Sequence, residues 1–137
     1  MSDHGRLNEA EEKYKEALEI VQLPEIWNNL GNVYKRKGLL YKAIESYQRA
    51  LEMDPKYPTA RANLGIAFMD LGRYAEAIMI LEKVIESGYE SDEVYLALAI
   101  SYEKSGKTAD FVRVYSKVKR KDKDEILKSY GVEPPSG

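Results

Sequence analysis

The chain has 137 residues, 44% hydrophobic and 32% charged, with 21 basic and 23 acidic side chains and a formal net charge of -2. That length can bury the core of one domain unaided, the apolar share excludes disorder, and the near balance of charge sets up no overall field that would draw in nucleic acid or an anionic membrane. No run approaches the roughly 18 consecutive apolar residues of a membrane span, the polar start from Met1 to Arg6 is not a secretory signal, and the expected compartment is the cytoplasm.

The first predicted element is a helix from Arg6 to Ile20, within a segment 6–23, which presents Leu7, Ala10, Tyr14, Ala17 and Leu18 along one stripe. Residues 24–57 follow as a pair of helices. In the first, Trp27, Leu30, Gly31 and Tyr34 fall at i, i+3, i+4 and i+7, and in the second Ala43, Tyr47, Ala50 and Leu51 repeat that face. Gly38 between them can take the left-handed conformation that ends a helix. Asp54-Pro55 closes the pair, because proline has no amide donor and disfavours helix in the residue before it. A second pair is expected over 58–91, ending at Ser87-Gly88, and a third over 92–122. A last short helix at 123–131 offers Ile126, Leu127 and Tyr130 as a lid, with Gly131 to cap it; Pro134-Pro135 in the tail 132–137 stops any continuation.

The pairs are copies in register. Gly38, Gly72 and Gly106 are 34 residues apart, as are Leu30, Leu64 and Leu98; Tyr34, Phe68 and Tyr102; and Tyr47, Leu81 and Tyr115. Such a period signals stacked units that each bury a face only against their neighbours. The stretch Trp27, Leu30, Gly31, Tyr34, Ala43, Tyr47, Ala50, Pro55 resembles the tetratricopeptide repeat signature, almost ideally over 24–57, well over 58–91, and with departures after 92. Gly5, Ala10, Tyr14, Ala17 and Leu18, which lie 33 residues ahead of Gly38, Ala43, Tyr47, Ala50 and Leu51, resemble the second half of a repeat whose first helix is missing. The resemblance implies an all-α, right-handed superhelical solenoid of about three hairpins, with an N-terminal half-repeat and a C-terminal capping helix. Departures carry their own expectations. Arg61, in the Trp27 column, buries its stem and sends its head to water. Phe111, in the small-residue column of Ala43 and Ala77, makes the third hairpin open or tilt, and Lys119 and Lys121 mark the array's wet end.

With the signature stripe turned to the core, the other stripe of each first helix holds Asn28 and Asn32, then Ala62, Ile66 and Met69, then Leu96 and Ile100. By resemblance this strip lines the concave groove that receives an extended or helical peptide. Apolar side chains outside the core stripe point to a partner surface, so a ligand with apolar anchors and little salt dependence is expected, unless second helices or the C-terminal helix cover them. Asn29 and Asn63 share a column beside the strip, where an amide's paired donor and acceptor can hold a peptide backbone or bond neighbouring helices. That column resembles the asparagine ladder of O-linked N-acetylglucosamine transferases, broken at Ala97. Co-chaperone repeats that grip a terminal carboxylate place basic residues at the positions of Asn28, Glu93 and Ala97; only their asparagines, at Asn32 and Asn63, match, and Glu93 would repel the ligand.

No catalytic residue and no metal or cofactor site is expected. The chain has no cysteine, and its one histidine, His4, lies in a terminus that cannot hold a reacting geometry. Phosphate loops, nucleophile elbows and paired-histidine metal helices are all missing. The basic run from Lys117 to Lys123 is diluted by Asp122, Asp124 and Glu125, a poor nucleic-acid surface. One further surface is expected at the start. Without a preceding helix, the stripe holding Leu7, Tyr14 and Leu18 should be partly bare, which points to weak self-association of copies or to a fragment of a longer array.

Overall fold

The computed structural model describes residues 3–136, with side chains from Gly5 onward; His4 falls outside the described side chains. Among the described residues there are eight helices and no strand: α1 Asp3–Ile20, α2 Pro24–Arg36, α3 Leu40–Met53, α4 Pro58–Asp70, α5 Tyr74–Glu86, α6 Asp92–Lys104, α7 Thr108–Tyr115 and α8 Lys123–Ser129. They belong to two compact units, residues 1–67 and 68–137, with the division inside α4.

Each hairpin turn is made the same way. Gly38, Gly72 and Gly106 sit at φ +80, +80 and +77, where side-chain-bearing residues are strained. At the first turn the Gly38 amide donates to the Lys35 carbonyl at 3.0 Å and the Leu39 amide to the Tyr34 carbonyl at 2.9 Å, which satisfies the carbonyls the ending helix leaves open. The other two turns repeat both bonds, from Gly72 to Met69 and Arg73 to Phe68, and from Gly106 to Glu103 and Lys107 to Tyr102.

In the first unit α2 packs against both α1 and α3. The small-residue columns allow this approach: Ala43 and Ala50 are fully buried, and Gly31 lies so close to Tyr47 that an added Cβ would stand 2.5 Å from its ring. Arg61 behaves as its column implies, half-buried with its guanidinium donating to the Pro55 carbonyl at 2.5 Å. Helix α1 lies on α2 more fully than its sequence stripe suggests. Leu7 and Leu18 are buried and Tyr14 half-buried, so the bare stripe expected for self-association is absent at Leu7 and Leu18. The flank of α2 that faces a preceding second helix accepts α1 in that role. Glu11 fixes the contact, taking Lys37 Nζ at 2.6 Å and the Tyr34 hydroxyl at 3.3 Å while pairing along α1 with Lys15 at 2.6 Å.

In the second unit α6 packs against α5, α7 and α8. Ser91 caps α6, accepting the Val94 amide at 3.2 Å. Phe111 is buried and stacked on Tyr115 with ring centroids 5.8 Å apart, and α7 ends at Tyr115, five residues shorter than the 13-residue α5. Helix α8 is held down by the fully buried Leu127, by Tyr115 donating to Asp124, and by Lys123 Nζ donating to the Val118 carbonyl at 3.1 Å.

Candidate functional site

The structure divides the predicted strip into open and closed residues. Asn29 is exposed; Asn32, Asn63 and Ile66 are half-buried. Asn28, Ala62, Met69, Leu96 and Ile100 are buried, at 4%, 4%, 4%, 5% and 1% exposure, so the expected apolar surface is closed at all of its members except Ile66. The physical reason is visible in the first unit. Asn63 Nδ2 on α4 donates to Asn28 Oδ1 on α2 at 3.0 Å, so at Asn28 and Asn63 the strip is closed by one helix lying against the next. In the second unit α8 lies against α6, the helix of Leu96 and Ile100; the Tyr130 hydroxyl reaches Asp70 at 3.0 Å, and a Cβ on Gly131 would stand 3.5 Å from Lys104 Nζ.

Apart from Ile66, what remains open is polar and lies in the first unit. Asn29, Asn32 and Arg36 fall at i, i+3 and i+7, one face of α2, and with Arg6 and Tyr14 of α1 they border a cleft of about 430 Å3 floored by Leu7 and Val33. Asn32 is positioned from below, its Oδ1 accepting the Tyr47 hydroxyl at 2.6 Å, so that Nδ2 is the group it offers outward. No carboxylate lines the cleft. Sequence reasoning places Asn29, Asn32 and Arg36 on or beside the strip and misses Arg6, which reaches the cleft only through the packing of α1 on α2.

A second cleft, also about 430 Å3, lies on the other side of the first unit and is bordered by Leu18, Gln22, Trp27, Lys42 and Ser46. Its ring is already occupied: Trp27 Nε1 donates to Gln22 at 2.9 Å and the Arg49 guanidinium lies 5.6 Å from the ring centre. Among the described residues no group of three or more His, Cys, Asp or Glu side chains is arranged to hold a metal ion, and no helix is long and apolar enough to cross a membrane.

The electrostatics are structural in character. Glu11 is held down to about 2 by its hydrogen bonds to Lys15 and Lys37. Burial pushes the phenols of Tyr102 and Tyr115 well above their usual range, helped by the carboxylates of Glu82 and Asp124; Tyr130 is raised to about 12, by burial and by Asp70. Each of these groups ties one helix to another.

Comparison with known proteins agrees with this architecture. Family models described as tetratricopeptide repeat match residues 24–57 and 46–79, and one described as TPR repeat matches residues 3–38. The photosystem I assembly protein Ycf3 of Synechococcus sp. (strain CC9902) is 37% identical over 92 residues, 64% of this chain and 48% of its own length. The chain spans half or less of the first curated relatives it matches. Among solved structures, the Sgt2 TPR domain from Aspergillus fumigatus is 26% identical with a TM-score of 0.70, covering 98% of this chain and 78% of that one. MamA, at 24% identity and a TM-score of 0.74 over 98% of this chain and 73% of its own, shares the fold. Repeat spacing, three turns built alike, and family models covering residues 3–79 together make this chain a member of the tetratricopeptide repeat family, an all-α protein of the helix-hairpin solenoid class.

Proposed function

We propose that the chain is a protein-interaction scaffold, not a catalyst, and that it holds a peptide segment of a partner along the open edge of α2 in the first unit. The observation that carries this reading is the cleft beside Asn29 and Asn32. It is the open part of the predicted groove, it presents amide groups able to hold a peptide backbone, and Tyr47 already sets the Asn32 amide in place. Membership of a family of interaction modules and likeness to a protein named for photosystem I assembly both support it. The test is a pull-down with the full chain and with Asn29→Ala plus Asn32→Ala. Partners that need the cleft drop out of the double variant; an unchanged set of partners refutes the assignment.

A second reading is assembly of copies. The apolar side chains most open at the α1–α2 junction are Ile20, Val21 and Leu23, at 86%, 44% and 43% exposure. This patch replaces Leu7 and Leu18 as the surface on which self-association would rest. Light scattering over a concentration series tests it, with Ile20→Glu as the variant that abolishes any rise in mass; a monomer mass at every concentration ends that reading.

A further inference from the structure

We propose that the cleft between α1 and α2 takes an acidic peptide segment, its side-chain carboxylates paired with Arg6 and Arg36 and its backbone held by Asn29 and Asn32. The inference rests on the reading of that cleft as the peptide site and adds the chemistry of the peptide.

The arginines make the case. The sequence holds seven. Five are engaged within the fold: Arg49 lies over Trp27, Arg61 bonds the Pro55 carbonyl, and Arg73, Arg113 and Arg120 pair with Glu76, Asp110 and Asp122. Arg6 and Arg36 have no ion pair among the described residues, and both border the one cleft. The acidic side chain on α1 that turns toward α2, Glu11, is taken by Lys15 and Lys37. A guanidinium presents a planar fork matched to a carboxylate, and Asn32 Nδ2 and the Tyr14 hydroxyl add further donors. A donor-rich cleft without an acceptor charge fits a ligand that brings its own carboxylates. The net charge of -2 makes this local positive patch an exception and not the by-product of a basic chain. Neither arginine stands at the basic positions of the co-chaperone clamp, which here are Asn28, Glu93 and Ala97, so the expected ligands are carboxylates along a segment and not a chain terminus. Burial of the apolar strip also reverses the expected salt response, because charge replaces apolar anchors.

The test uses the full chain and a fluorescein-labelled peptide of alternating glutamate and leucine, with its glutamine-for-glutamate counterpart as control. Anisotropy should show the acidic peptide binding more tightly than the control, and weakening roughly tenfold as added salt shortens the screening length. Arg36→Gln should weaken the acidic peptide by about tenfold, as expected for a lost charge-assisted hydrogen bond, and Arg6→Gln plus Arg36→Gln should abolish the preference for it. Lys119→Gln plus Lys121→Gln, in the basic run outside the cleft, should change nothing. Both arginines are exposed, so each variant should fold, which circular dichroism checks. If the control peptide binds equally well while the Asn29 and Asn32 amide resonances shift, acid recognition fails and the cleft stands. If no peptide shifts those resonances, or binding depends on Lys119 and Lys121, acid recognition at this cleft is refuted together with the cleft itself.

Discussion

Asn63 on α4 donates its side-chain amide to the buried oxygen of Asn28 on α2 at 3.0 Å, so two asparagines of the predicted groove are bonded to each other. Asn28 is 4% exposed, so truncating its partner strands an acceptor away from water. Asn63→Ala should therefore lower stability by about 1–3 kcal/mol and leave peptide binding at the cleft nearly unchanged. Chemical denaturation and anisotropy on the same samples check both halves; unchanged stability with weakened binding would restore Asn63 to the ligand site.

Gly31→Ala places a methyl 2.5 Å from Tyr47, inside the contact limit. Overpacking of this kind costs about 1–3 kcal/mol. Adding Tyr47→Leu should recover part of the loss, so that the double variant is more stable than the sum of the two single changes predicts. A purely additive pair in urea denaturation would show that the ring does not set the penalty.

Acid should loosen the first unit through Glu11. Its carboxyl lies at about 2 in the folded chain against an ordinary 4.5, so the folded state binds this proton more weakly than the unfolded one. The resulting stability is fully present above about 4.5 and disappears as pH falls toward 2. Glu11→Gln should lower the denaturation midpoint at neutral pH and flatten its decline between those limits. A variant with the same acid slope as the parent would place the sensitivity elsewhere.

Alkali should loosen the other end. Tyr130 is raised to about 12 and burial raises Tyr115 as well, and both phenols donate to carboxylates, Asp70 and Asp124. A raised pKa contributes stability that is present below the ordinary value of 10 and lost as pH climbs through the folded one. The urea denaturation midpoint should therefore fall above pH 10, and Tyr130→Phe, which removes one of the two phenols, should flatten that fall.

The hairpins were legible because small and aromatic columns repeat at a fixed interval, and a column needs only the sequence to be seen. The closed strip was not. Whether Leu96 or Ile100 meets water depends on what packs against α6, and a short helix such as α8 announces its presence in the sequence but not the face it covers. Burial of Leu7 and Leu18 was hidden for a related reason, since α1 fills the place of a second helix without needing a first. The cleft combined both cases: Asn29 and Asn32 were read from their stripe, but Arg6 joins Arg36 only through the packing of α1 on α2.

The three glycine turns also govern how a chain of this kind can change length. Because the bonds at Gly38 reappear 34 residues later at Gly72 and again at Gly106, removing or inserting 34 residues between turns rebuilds the same turn from equivalent donors and acceptors. Inserting a single residue into α2 between Leu30 and Tyr34 would turn the rest of that helix by about 100° around its axis, and the two side chains would no longer share a face. Growth in whole repeats is therefore nearly neutral for the turns, and growth by single residues is confined to connections outside the columns, such as that from Asp54 to Tyr57.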